Sequence, residues 1–231
     1  MSVWYAIPSA RPADKAQPVI DQWRRMGYRV AVQRDLGAPC LNADYCVHRV
    51  YQSYGESVNY LCRLIVQSDP DALAVVTGGD DVYPDPEANP VQVVAKLIQH
   101  TGGTLWVMQP TGDRWPVDQF GIASVEKVCI SPWLGREWIL RAYRGQGPYP
   151  TCYYHYFADE ELFQVAQSLG CLILDPTLCQ YHAHWMRHGE QRPAHLEQAS
   201  TLWQRDQALF MERKQQGFPG HELLDVQCTG A

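Results

Sequence analysis

The apolar positions in the first half of the chain follow two rhythms. Residues 3–7 (VWYAI) form an unbroken apolar run that stops at Pro8, and a run of that length predicts a strand. Over residues 18–26 the spacing changes. Val19, Ile20, Trp23 and Met26 share one helical face, and Gly27 stands where a helix C-cap belongs. Residues 28–33 return to a strand pattern. Residues 57–67 are helical again, with Val58, Leu61, Cys62 and Ile65 on one side, and Pro70 closes that region. Residues 72–77 (ALAVVT) form a short apolar run between polar and glycine-rich flanks, as in a strand buried on both faces. The order strand, helix, strand, loop, helix, strand predicts a mostly parallel sheet covered by helices. In open sheets of this kind ligands bind beyond the carboxyl ends of the strands. Two segments occupy such ends: Pro8-Ser9-Ala10-Arg11 and Gly78-Gly79-Asp80-Asp81.

Further along, the pattern predicts a helix over 90–100, a Gly102-Gly103 turn and a strand over 104–108. A long loop rich in Pro, Gly and Asp follows over 109–124. Helices are expected over 136–143 and 159–169, and a short strand over 171–174. Beyond His188 the composition turns polar, with a helical stretch over 194–216. No repeat, low-complexity segment or linker interrupts the chain. The reading is an α/β domain over residues 1–190, with residues 191–231 as a C-terminal helical extension of the same domain.

Composition narrows the class. With 231 residues and 46% hydrophobic positions, the chain has enough apolar surface for a real core. Its net charge of −6 gives no global field toward nucleic acid or anionic membranes. No apolar run approaches the ~20 residues of a membrane span, and the first residues lack the basic and apolar regions of a signal peptide. Eight cysteines are scattered without CxxC spacing, which predicts reduced thiols, no structural zinc and a cytoplasmic setting.

The sharpest chemical signal is ALAVVTGGDDVYPDP. Magnesium and manganese take oxygen ligands, usually one or two carboxylates completed by water and substrate phosphates. Asp80 and Asp81 at a buried strand end suit that task, although Gly-Gly-Asp-Asp is also ordinary turn chemistry. Asp159, Glu160 and Glu161 open an expected helix, where carboxylates either complement the dipole or act as a general base. His182 and His184 lie two apart, on one face if the segment is a strand, and a neutral imidazole there either ligates a metal or packs. Trp133 beside Gly135 suits a sugar face and Arg136 a phosphate, or both belong to core and helix start. Arg11 is a further phosphate candidate. Tyr149, Tyr153, Tyr154, Tyr156 and Phe157 read as a packed cluster rather than an acceptor platform.

Taken in order, IPSARP, ESVN and VVTGGDDVYPDP resemble the GT-A glycosyltransferases, the family 2-like group above all. The resemblance continues through ISPWLGREWI (130–139), HYFADEELFQVAQSLG (155–170) and DPTLCQYHAHW (175–185). It implies a GT-A-like, Rossmann-like sheet and transfer of a sugar from a nucleoside-diphosphate sugar to a hydroxyl acceptor. That acceptor is a glycan, a protein, a small molecule or modified DNA. The acidic motif departs from a clean DxD; Asp81 is the expected ligand of Mn2+ or Mg2+, with Asp80 beside it and His182 or His184 completing the shell. Pro8, Ser9 and Ala10 fall at the nucleotide loop, Asp35 near the base and Asn59 near the donor. Trp133, Gly135 and Arg136 fall beneath the donor sugar or the acceptor. Asp159 matches the catalytic base of an inverting transfer, with Glu160 as the alternative. Two other classes stay open: a metal-dependent nucleotidyltransferase, disfavoured because IPSARP lacks phosphate-loop glycines, and a non-catalytic nucleotide-sugar-binding module.

Overall fold

The computed structural model describes residues 1–193 and 195–225. Ala194, where the last expected helix begins, and residues 226–231, which include Cys228, lie outside the described residues. The strands are β1 (Ser2–Pro8), β2 (Arg29–Arg34), β3 (Tyr45–His48), β4 (Ala72–Thr77), β5 (Val82–Tyr83), β6 (Val107–Pro110), β7 (Trp133–Gly135), β8 (Leu172–Asp175) and β9 (Tyr181–His182). Seven of them form one sheet in the order β3-β2-β1-β4-β7-β6-β8, while β5 and β9 pair in a separate two-stranded ribbon. All pairings in the main sheet are parallel except those of β7, which runs antiparallel to β4 and β6. The chain moves from β1 outward to β2 and β3, then returns to β4 on the other side of β1. The crevice between the carboxyl ends of β1 and β4 is therefore the topological switch point, where an open sheet offers a ligand site.

Helices cover both faces. α1 (Ala13–Arg25) and α3 (Pro90–Thr101) pack on one side; α2 (Tyr54–Ser68), α4 (Arg136–Gly145) and α5 (Ala158–Ser168) pack on the other. The central strand β1 shows the division residue by residue. Trp4 and Ala6 join the α2 side, and Val3, Tyr5 and Ile7 join the α1 side, as alternation along a strand requires. The helix ends carry their own signals. Ser53 Oγ accepts the Glu56 N–H at the start of α2, Asn89 does the same for Gln92 in α3, and Gly102 closes α3 in the left-handed region. This is the expected mostly parallel, Rossmann-like sheet of GT-A type, flanked by helices and followed by a helical extension. No helix among the described residues is long and apolar enough to cross a membrane, and the seven described cysteines are free thiols.

The differences from the sequence reading have physical causes. α1 begins at Ala13, so Pro18 lies inside the helix rather than at its start; burial of Ala16, Val19, Ile20 and Trp23 outweighs the one lost backbone bond. β3 was read as loop because it is a partly exposed edge strand without an apolar run. β7 has three residues, too few for a period. The strand expected at 104–108 is shifted to Val107–Pro110. The helix expected over 136–143 keeps helical geometry only as far as Arg141, and Ala142, Tyr143 and Arg144 turn out of it. The last helix is two, α6 (His195–Thr201) and α7 (Trp203–Gln215), broken at Leu202.

Two buried carboxylates tie α7 to the domain. Asp206, fully buried, accepts backbone N–H groups from Tyr154, His155 and Tyr156 at 3.0–3.3 Å. Glu161 of α5, also fully buried, receives Arg213 through two bonds of 2.7 and 2.8 Å and the Tyr153 hydroxyl at 2.6 Å. A buried carboxylate that loses its cation is strongly destabilising. Arg213→Met should therefore lower unfolding free energy by about 3 kcal/mol in urea titration. A loss below about 1 kcal/mol, the worth of an exposed pair, would show that α7 does not depend on this contact.

Candidate active site

The switch-point crevice opens into a cavity of about 860 Å3, within the usual range for small-molecule sites. Of the expected site residues, Pro8, Ser9, Ala10, Arg11, Asp35, Asp80, Asp81, Asp159, His182 and His184 all line it. They come from five separate stretches of sequence.

The Gly78–Asp81 loop is gripped from below. Tyr5 of β1 donates to the Gly79 carbonyl at 2.5 Å, and Trp23 of α1 donates to the Val82 carbonyl at 2.7 Å. These two rings stack at 3.9 Å, so sheet and helix fix the loop together. A Cβ on Gly79 would lie 2.5 Å from Asp81 Oδ1, so a side chain there would displace that carboxylate. Across the crevice, Ser9 Oγ donates to Asp80 Oδ2 at 2.7 Å, and the Arg11 guanidinium reaches both carboxylates. Its Nε is 2.9 Å from Asp80 Oδ1 and its Nη2 3.0 Å from Asp81 Oδ2. Arg34, buried at the end of β2, holds this loop by donating to Ser9 O, Ser9 Oγ and Arg11 O at 2.7–2.9 Å.

The late histidines arrive through the ribbon. Val82 of β5 pairs with His182 of β9, and the Ala183 N–H binds the Asp81 carbonyl at 2.8 Å. His182 Nε2 stands 3.4 Å from Asp81 Oδ1, while its Nδ1 is buried without a partner. His184 lies beside it, with ring centroids 5.2 Å apart, and its Nδ1 accepts the Met186 N–H. Burial, then the His182 charge, lowers the His184 pKa. Burial alone would raise Asp81. The His182 hydrogen bond, the His182 charge and the Arg11 charge outweigh it, so Asp81 is held below the ordinary carboxylate range.

Asp159 occupies the first turn of α5, past Phe157 in the left-handed region at φ 70°. Its carboxyl accepts the neighbouring Glu160 N–H at 3.1 Å. Burial dominates and lifts its pKa from 3.8 to about 6, against weaker backbone hydrogen bonds. Glu160 is raised to about 7 by burial and then by the Asp159 charge, but it is not among the cavity-lining residues. Since these carboxyls feel each other, their titrations are coupled.

Besides Glu160, four expected residues lie outside the lining. Asn59 is fully buried, with its amide bonded both ways to the backbone of Tyr149. Trp133 is fully buried, and its indole N–H donates to Gln180 Oε1; it supports the strand that carries His182 rather than a sugar. Gly135 stands where a Cβ would strike the Thr104 carbonyl at 2.1 Å. Arg136 donates to the carbonyls of Val66, Asp69 and Ala72, at the amino end of β4, the far end of that strand from the cavity. The tyrosine cluster divides: Tyr149 and Tyr153 are buried, while Tyr154 and Tyr156 line the cavity. Residues missed in the sequence include Tyr51, Tyr54, Trp115 and His155, which line the cavity, and Arg34 and Asp206, which hold its loops. Period two from Asp35 points to Gln33, also in the lining; Asp206 has no such signal, since α7 reads as polar throughout.

Among the described residues no group of three or more His, Cys, Asp or Glu side chains is arranged to hold a metal. Asp81 and His182 supply two facing ligand atoms. That does not suit a protein-only cage, but it does suit a magnesium or manganese ion whose remaining positions go to water and substrate phosphate.

The chain matches no family profile and no curated protein. Solved structures similar to it include the following three. A197 from STIV is 14% identical with a TM-score of 0.49, over 80% of this chain and 86% of that one. A Drosophila β1,4-galactosyltransferase 7 mutant, in complex with manganese, UDP-Gal and xylobiose, is 11% identical with a TM-score of 0.48, over 87% and 79%. A glycosyltransferase involved in glycosylation of the major capsid of PBCV-1 is 10% identical with a TM-score of 0.35, over 60% and 61%. Likenesses this distant assign no role to any residue of the cavity.

Proposed function

We propose that this chain is a metal-dependent glycosyltransferase that moves a sugar from a nucleoside-diphosphate sugar to a hydroxyl acceptor. The observation that carries this reading is one cavity holding both two adjacent carboxylates at the switch point, of which Asp81 is held below the ordinary carboxylate range, and a half-buried carboxyl with a pKa of about 6. The first suits a cation and a diphosphate; the second suits proton transfer near neutral pH. In this reading Asp81 and His182 hold Mn2+ or Mg2+, with Asp80 behind them and His184 at the edge. The cation, when bound, neutralises charge gathering on the leaving diphosphate. Pro8, Ser9, Ala10 and Asp35 border the nucleoside, and Arg11 serves the phosphates. Asp159 takes the proton of the acceptor hydroxyl as that oxygen attacks the anomeric carbon and the bond to the diphosphate breaks, which inverts the configuration. Glu160 stands in reserve outside the lining.

Asp81→Asn keeps the shape and removes the charge. It should abolish Mn-dependent binding of UDP or GDP in calorimetry while the melting temperature stays near the parent's. Parental binding would show that Asp81 does not hold the cation.

Asp159→Asn should lower turnover about 10²–10⁴-fold and leave donor affinity nearly intact. In the parent, activity should fall as pH drops through about 6, because a base acts only when ionised. Wild-type turnover in the variant, or a product retaining the donor's configuration, would rule the role out.

The same group makes a stability prediction of defined sign. Its folded pKa lies above the unfolded one, so ionisation costs folding free energy as pH rises through about 6. Asp159→Asn should stabilise the fold by on the order of 1 kcal/mol above pH ~7 and lose that advantage below the ordinary carboxylate pKa. Urea titrations at several pH values measure it. A gain independent of pH would deny the buried charge.

A further inference from the structure

We infer that Arg11 is a resident counter-cation that keeps a divalent ion off Asp80 and Asp81 until a diphosphate draws its guanidinium away, so that metal and diphosphate bind as a coupled pair. The inference rests on the proposed reading of the cavity as a metal and diphosphate site, and it concerns the order imposed on those two ligands.

The geometry is specific. Asp80 is 7% exposed. Its Oδ2 receives the Ser9 hydroxyl at 2.7 Å and lies 3.4 Å from the Arg11 backbone N–H, and its Oδ1 receives Arg11 Nε at 2.9 Å. Asp81 Oδ2 receives Arg11 Nη2 at 3.0 Å. One edge of the planar guanidinium thus spans two neighbouring carboxylates. A magnesium-sized ion needs carboxylate oxygens at about 2.0–2.1 Å; Arg11 holds Asp80 Oδ1 and Asp81 Oδ2, so an ion on Asp81 Oδ1, the oxygen that faces His182 Nε2 at 3.4 Å, would sit beside the positive charge of the guanidinium. The backbone of Arg11 is anchored, because its carbonyl accepts Arg34 Nη1 at 2.8 Å. Its side chain is 24% exposed to the open crevice, so the side chain can leave while the loop stays.

The charges then dictate coupling. A metal alone would push the guanidinium off its two partners and leave it unpaired at the cavity wall. A diphosphate alone would draw the guanidinium away and take its charge from two adjacent carboxylates. When both arrive, the metal pairs with the carboxylates and the guanidinium pairs with phosphate oxygens, for which its fork geometry is suited. Each ligand removes the cost of the other, and such coupling is reciprocal.

The test uses the full chain and three proteins: parent, Arg11→Ala and Arg11→Lys. Mn2+ binding is followed by electron paramagnetic resonance, with free Mn2+ buffered, in the absence and presence of inorganic pyrophosphate, which carries the diphosphate without a base. The parent should bind Mn2+ at least about tenfold tighter with pyrophosphate than without, within the usual range of coupling. Arg11→Ala should bind Mn2+ alone at least about tenfold tighter than the parent and gain less from pyrophosphate than the parent does, since only the phosphate oxygens' own ligation of the ion remains. Arg11→Lys, which keeps a charge but cannot span both carboxylates, should fall between them and guards against misfolding of the alanine variant, as do melting curves of all three. The inference is overturned if both folded variants bind Mn2+ alone no tighter than the parent, or if pyrophosphate leaves the parent's Mn2+ affinity unchanged. If pyrophosphate couples as expected but neither UDP nor GDP binds with Mn2+, the nucleoside-diphosphate donor reading falls and the role of Arg11 stands.

Discussion

Two carboxylates on consecutive residues, nine-tenths or so removed from water, repel each other and resist burial. Asp80 and Asp81 stand in that position at the end of β4, and much of the surrounding structure answers their demand for positive charge and N–H or O–H donors. The β1 loop brings Ser9 and Arg11. Arg34 reaches across from β2 to hold that loop in place. The ribbon of β5 and β9 exists only as far as is needed to set His182 against Asp81. Tyr5 and Trp23 keep the intervening loop from moving to relieve the repulsion. Ser9, Arg11 and His182 meet the carboxylates directly, while Arg34, Tyr5 and Trp23 act one step back, on the loops that carry them.

The sequence showed the part of this unit that depends on continuous local signals. Residues 72–77 are nearly all apolar, and the glycines and aspartates follow at once, so both the strand and the cavity-lining loop at its end were legible. The same holds for the run ending at Pro8. What was not legible depends on contacts between distant segments. Asn59, Trp133, Gly135 and Arg136 have the residue types of a sugar site, yet each is needed for packing: a buried amide pairing with Tyr149, an indole bonded to Gln180, a close backbone approach, and a guanidinium closing the carbonyls around Asp69. A side chain's chemistry states what it can bind and leaves its partner open. For these four the partner was inside the protein.

The helical extension is tied to the domain by a signal of another kind. α7 has few apolar residues, and its buried members are a carboxylate and a phenylalanine. Asp206 collects three consecutive backbone N–H groups from the segment that carries Tyr154, His155 and Tyr156 into the cavity. Hydrophobic periodicity is blind to such an anchor, because its energy lies in hydrogen bonds to backbone groups that would otherwise stay unsatisfied.

That anchoring bears on how a costly arrangement persists at Asp159. The helix that carries it begins beyond a phenylalanine held at φ 70°, a conformation that costs about 1 kcal/mol or more outside glycine. Its carboxyl is also deprived of water. Neither cost is met locally, since α5 has no side-chain cap at its start. The compensation comes from α7: Phe210 stacks on Phe157 at 5.3 Å, Trp203 meets the same ring at 5.7 Å, and Arg213 neutralises Glu161 one turn into α5. Residues just before α7, including Leu196 and Ala199, also line the cavity. The segment that stabilises the strained helix start is thus continuous with one that lines the same cavity as Asp159, so the placement of that carboxyl and the shape of the cavity around it depend on one C-terminal anchor.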